Sequence, residues 1–195
     1  MSRAQNIINY WLGNVEKTVL PTENRTKIWF GHSKEVDEEI NELFGSDIEK
    51  AINGEYDDWD AESRGSLALI ILFDQFSRRV FRGTAKAFAQ DQRALDLCLR
   101  GIQKQYDHAL SLIERVFFYA PLMHSEDGRI QATSVRAYQT LVELSFPETR
   151  SLFENFLDYA NKRYDVIQRF HRFPQRNELL DRKSTVEELE FMRQQ

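Results

Sequence analysis

The chain has 195 residues, 42% of them hydrophobic and 29% charged, which suffices for one domain with a sizeable core over 1–195. A net charge of −5 argues against general nucleic-acid binding, and no apolar run reaches the ~18 residues of a membrane helix. The single cysteine, Cys98, excludes an internal disulfide.

Only four prolines and eight glycines leave room for long helices. Ile7, Ile8, Trp11, Leu12 and Val15 recur at three- and four-residue spacing and predict a helix over 3–16, followed by a loop around Pro21. Ser33 can cap a second helix carrying Val36, Ile40, Leu43 and Phe44, with Gly45 as its stop. Ser46 and Glu49 form a capping-box pattern for a short third helix, which Asn53-Gly54 ends. A central helix spans about 61–81. Gly83 breaks it, and Thr84 can cap a fifth helix that ends at Gly101. Ser111 and Glu114 form another capping box, for a helix closed near Pro121. Ser125 looks like the cap of a helix reaching Leu144. A long amphipathic helix then carries Phe153, Phe156, Ala160, Tyr164 and Ile167 to the stop at Phe173-Pro174. Ser184, three residues before Glu187, is read as the cap of a last short helix. No alternating strand pattern occurs. The expected fold is all-α, about eight to nine antiparallel helices in a right-handed stack of the tetratricopeptide-superhelix kind.

Three polar groups interrupt this apolar plan. The run Leu67–Arg82, LALIILFDQFSRRVFR, is apolar all round and then delivers Asp74, Gln75, Arg78 and Arg79. Charge taken into a core needs partners. Asp74 and Arg78 are four apart in the favourable order for a helical ion pair, and Asp91 lies on the apolar stripe of the next helix. These residues are either an internal salt bridge or a support that holds Arg78 for an anionic ligand. His124, with Glu126 and Asp127 close behind, is either part of helix capping or a general base beside a carboxylate. No HExxH or paired cysteines occur, so no metal site and no cofactor is expected. Residues 160–183 carry seven basic and three acidic side chains, +4 in all, leaving −9 for the rest. Within that segment Arg172, Arg176 and Asn177 have the arginine forks suited to carboxylate or phosphate.

The segments WFG at 29–31, LALIILFDQFSRRVFRGT at 67–84, AFAQD at 87–91, ERVFFYAPLMHSED at 114–127, RFHRFPQRN at 169–177 and STVEELEF at 184–191 recur in order. Together they resemble the uncharacterised, mainly bacterial family catalogued as domain of unknown function 924. That resemblance implies a fold similar to tetratricopeptide-repeat proteins and brings no activity, cofactor or catalytic residue. Members tend to have Gly-Arg-Phe-Pro-His-Arg-Asn where this chain has His171 to Asn177. They also tend to have Pro and Asn at Ser77 and Arg79, Gly at Asp181, and a histidine at Arg163. A mechanism running through the family histidine aligned with Gln175 is thus closed to this chain.

Three readings of function remain open. The first is a cytoplasmic binding domain, its polar groove lined by Arg78, His124, Glu126, Arg172, Arg176 and Asn177 and supported by Asp74, Gln75 and Asp91. Its ligand would be a small anionic metabolite or a carboxylate-bearing peptide. The second is a hydrolase or lyase with His124 as general base and the arginines stabilising negative charge, His124 and Glu126 being the candidate catalytic residues. The third is a scaffold in which every polar residue only holds helices together. No nucleic-acid or membrane partner is expected, no signal peptide is read at the N-terminus, and a homodimer is compatible with the sequence.

Overall fold

In the computed structural model, residues 1–13 and 25–194 are described; the expected loop at Pro21 and the contribution of Val15 fall outside them. The described residues are helical with no strand. In order, the α-helices are α1 (Arg3–Leu12), α2 (Thr26–Phe30), α3 (Lys34–Ile52), α4 (Ser63–Ile70), α5 (Ser77–Val80), α6 (Asp91–Gln103), α7 (Leu112–Phe118), α8 (Ala120–His124), α9 (Gly128–Leu144), α10 (Arg150–Phe170) and α11 (Val186–Arg193).

The apolar run from Leu67 to Phe73 is buried throughout, and α1, α3, α6 and α7 pack around it. Trp11 packs edge-on against Phe76 and Phe117, and Trp29 lies 4.9 Å from Phe117, so aromatic rings join α1, α2 and α7 to the centre. The Trp29 indole N–H donates to the Trp11 carbonyl at 2.9 Å. Gly65 lets α4 meet the 3-10 turn Asp57–Ala61: a Cβ there would lie 2.1 Å from the Trp59 carbonyl oxygen. On the other side α9 and α10, joined through residues 145–149, pack as a helical hairpin.

Several boundaries differ from the sequence expectation. Gly45 does not end a helix, since α3 runs through it. The stripe Ile40, Phe44, Ile48, Ala51 continues unbroken and is fully buried, which outweighs the ~1 kcal/mol cost of a mid-helix glycine. Leu43 lies off that stripe and is exposed. The central helix is not uniformly α. Residues Ile71–Phe76 form a π turn between α4 and α5, and the Ser77 hydroxyl donates to the Leu72 carbonyl at 3.0 Å. After Thr84 the chain makes a 3-10 turn, Ala85–Phe88, so Asp91 opens α6 instead of lying mid-stripe. Gly101 is inside α6, against the Phe118 ring. Pro121 stands in the first turn of α8, where its missing N–H costs nothing. Asp127, not Ser125, caps α9, and Thr185, not Ser184, caps α11 in a capping box with Glu188. The Ser33 cap and the Ser111–Glu114 box form as expected.

His171 ends α10 at φ 55, and Asp181 adopts φ 53, both in the left-handed region that favours glycine. These are positions where the resemblance implies glycine. His171 is exposed and its side chain makes no hydrogen bond among the described residues. His171→Gly should therefore raise stability by about 0.5–1 kcal/mol, relief of left-handed strain exceeding the added freedom of the unfolded chain. Denaturant unfolding of the two proteins measures this directly, and an unchanged midpoint would mean His171 is unstrained.

Candidate functional site

The π turn sets the site. It places Asp74, fully buried, where its carboxylate meets groups from α5 and α8. Asp74 Oδ1 lies 2.6 Å from His124 Nδ1 and 3.1 Å from Arg78 Nη2, and Gln75 Nε2 donates to Oδ2. Arg78 Nη2 also donates to Asp91 Oδ1 at 2.7 Å. The other Asp91 oxygen accepts from Arg176 Nη1 at 3.1 Å, and Arg176 Nη2 returns to the His124 carbonyl at 3.0 Å. Asp74, Arg78, Asp91, Arg176 and His124 thus form one continuous network. The Phe88 ring lies beneath both guanidiniums, 5.3 Å from Arg78 and 4.7 Å from Arg176.

Burial alone would raise the Asp74 carboxyl, but the His124 ring and the Arg78 guanidinium reverse that and hold it well below the usual range. Asp91 goes the other way. Burial and the nearby Asp74 charge raise it against the pull of Arg78 and Arg176. Burial, with Arg78 and Arg163 as like charges, lowers Arg176 to about 10. His124 is pushed down to about 3, first by burial and then by Arg78 and Arg163, against the attraction of Asp74. Its imidazole is therefore neutral at pH 7. With the acceptor Asp74 at Nδ1, the proton belongs on that nitrogen, and Nε2 is left as a lone-pair acceptor with no hydrogen bond among the described residues.

His124 and Arg78 line a cavity of about 440 Å³. Its wall carries six aromatic rings, from Trp29, Phe30, Phe117, Tyr138, Phe156 and Tyr159, with His32, Gln75, Arg79 and Arg82 as further polar residues. Arg79 and Arg82 belong to the frame. Arg79 donates to the carbonyls of Ile28, Trp29 and Gly31, closing the end of α2, and Arg82 grips Asp37 with two nitrogens. A second cavity, of about 320 Å³, reaches His124 from the side of Phe88, Asp91, Glu126 and Arg176.

Arg172 and Asn177 are held elsewhere, and Glu126, in the wall of the second cavity, is already engaged. Arg172 makes a two-point contact with Glu188, at 2.6 and 2.8 Å, and Asn177 Nδ2 reaches the same carboxylate at 3.3 Å. Arg172 holds Glu188 down to about 2, with the Thr185 N–H adding to the effect. Together they dock α11. Neither Arg172 nor Asn177 lines either cavity. Glu126 accepts from Arg182 at 2.7 and 3.0 Å and from the Phe173 amide at 2.8 Å, and so pins the turn after α10.

Arg163 escaped the sequence reading as a site residue. It stands on the apolar stripe of α10, between Ala160 and Ile167, which was the available signal. Its guanidinium lies over Phe173 at 4.0 Å and donates once, to the Met123 carbonyl at 3.4 Å; among the described residues it has no carboxylate partner. Burial lowers it, and it acts on His124 through space. Of the cavity aromatics, spacing marks Phe156 as core, and the others carried no site signal of their own. No group of three His, Cys, Asp or Glu among the described residues is arranged to hold a metal ion.

With this arrangement in view, residues 7–195 match the model of a family described as bacterial protein of unknown function (DUF924). The chain belongs to that family. DUF924 brings no activity with it. The chain is also similar to the solved structure of a protein of unknown function from Agrobacterium tumefaciens, with 31% identity and a TM-score of 0.81 over 98% of this chain and 97% of the other. No curated protein matches. No helix among the described residues is long and apolar enough to cross a membrane.

Proposed function

We propose that this DUF924 protein binds a small organic anion in the cavity beside His124. The observation that carries the reading is the state of Arg78. Only its Nη2 is engaged, while Nε is buried with no hydrogen-bond partner. A buried guanidinium N–H without an acceptor is costly, and a carboxylate oxygen is a natural acceptor for it. Charge supports the same class of ligand. Arg78, Arg163 and Arg176 face Asp74 and Asp91, leaving one positive charge uncompensated around a neutral His124. The single buried cysteine suits a reducing cytoplasm.

Thermal unfolding against a panel of carboxylates and phosphates tests this. An anion at 100 times its Kd should add about 2.7 kcal/mol in the wild type and clearly less in Arg163→Gln. If no anion shifts the transition, the site is structural.

A second reading, a hydrolase or lyase with His124 as general base, is favoured by the Asp74–His124 pair. A carboxylate that fixes the ring and leaves Nε2 unprotonated in a cavity wall is the arrangement proton abstraction needs. His124→Asn with retained affinity and abolished turnover of a bound anion would support it; retained turnover would remove it. The peptide-binding alternative, suggested by the expected tetratricopeptide-like stack, rests on fold analogy alone.

A further inference from the structure

We infer that the anion taken by this cavity is a small carboxylate with an aromatic body. This rests on the anion-binding reading and adds the ligand class. Phe30 is 54% exposed and Tyr159 43% exposed, and both line the same cavity as Arg78 and His124. Single exposed aromatics are ordinary on a protein surface. Two that face one cavity, beside a guanidinium whose Nε lacks an acceptor, are a different matter. Phe30 is not loose: its ring stands 5.7 Å from Phe156 and 6.3 Å from Trp29, tilted and edge-on, so the cluster offers a formed aromatic face. Such a face favours another ring in an offset or edge geometry over a saturated body of equal size.

The polar groups limit the other end of the ligand. Arg78, Arg79 and Arg82 all line the cavity, and Arg79 and Arg82 share the single carboxylate of Asp37, so an anionic end is the one that fits. The unpartnered Arg78 Nε–H is a charge-assisted donor suited to a carboxylate oxygen. A volume of about 440 Å³ is in the range of small-molecule sites.

Calorimetric titration with phenylacetate, cyclohexylacetate, acetate and phosphate tests the inference. The wild type should bind phenylacetate at least tenfold more tightly than acetate or phosphate, and more tightly than cyclohexylacetate. Phe30→Ala, at an exposed position that leaves the buried core intact, should lose most of that advantage and keep its affinity for acetate. Acetate binding as well as phenylacetate would overturn the aromatic class and leave the anion site standing. Equal binding of the cyclohexyl and phenyl acids would overturn it in favour of a merely apolar body. If none of the four binds, the anion reading itself fails and this inference with it. Sedimentation of both proteins supplies the last arm. A change of mass in Phe30→Ala with phenylacetate affinity intact would assign the exposed ring to contact with a second copy, and overturn the proposal.

Discussion

Replacing Asp74 with alanine should cost about 3–5 kcal/mol, or on the order of 10 °C in Tm for a chain of this size. The carboxylate is fully buried and accepts from His124, Arg78 and Gln75 at once. Alanine removes all three acceptor contacts and leaves Arg78, only 20% exposed at its side chain, with Asp91 alone. An uncompensated buried charge, more than the lost hydrogen bonds, sets the size of the effect. Asp74→Asn keeps an oxygen for one donor and fills the same space, so it should fall between the alanine variant and wild type. Denaturant unfolding at pH 7 ranks the three. A loss under 1 kcal/mol in Asp74→Ala would mean that Arg78 finds water readily, and that the network is a solvated surface feature.

The network around Asp74 explains what could be read from sequence and what could not. An acid and an arginine following seven apolar residues have to be paired inside the fold, so Asp74, Arg78 and Asp91 were identifiable from the chain alone. Their pairing geometry was not, because the π turn at Ile71–Phe76 has no residue signature and shifts every later side chain around the helix. The arginine-rich segment after α10 illustrates the opposite error. Composition suggested a single anion-gripping cluster of Arg172, Arg176 and Asn177. Its members divide instead between Glu188 on α11 and Asp91 on α6, because carboxylates 85 positions upstream and 11 to 16 downstream are brought to them. Charge partners distant in sequence are invisible to local pattern. Helix caps failed by single residues for a related reason. Ser125 and Asp127, or Ser184 and Thr185, are equally good caps in isolation, and the packing of α9 and α11 selects between them.

The last expected result concerns pH. The folded protein holds His124 near 3, whereas in the unfolded chain a histidine titrates near 6.5. Between those values the unfolded state carries a proton that the folded state does not, so stability rises with pH across the window and is lost as pH falls. At pH 5 the unfolded chain gains about 2 kcal/mol from protonating this one ring, against almost nothing at pH 7.5. The lowered Asp74 adds a loss of the same sign, but only as pH falls below its unfolded value near 3.8. His32, His108 and His171 are common to both proteins when wild type is compared with His124→Asn, in which the amide can still donate to Asp74. Wild type should therefore lose about 2 kcal/mol more than the variant between pH 7.5 and 5, read from urea midpoints at the two values. Parallel losses would mean that His124 is protonated in the folded state at pH 5. In that case the imidazolium would already use its Nε2 as a donor, the cavity would hold a second uncompensated positive charge, and ligand binding would strengthen as pH falls. A steeper wild-type loss instead leaves Nε2 unprotonated as a hydrogen-bond acceptor, on a ring too weakly basic to hold an abstracted proton at neutral pH, and it would count against the general-base reading.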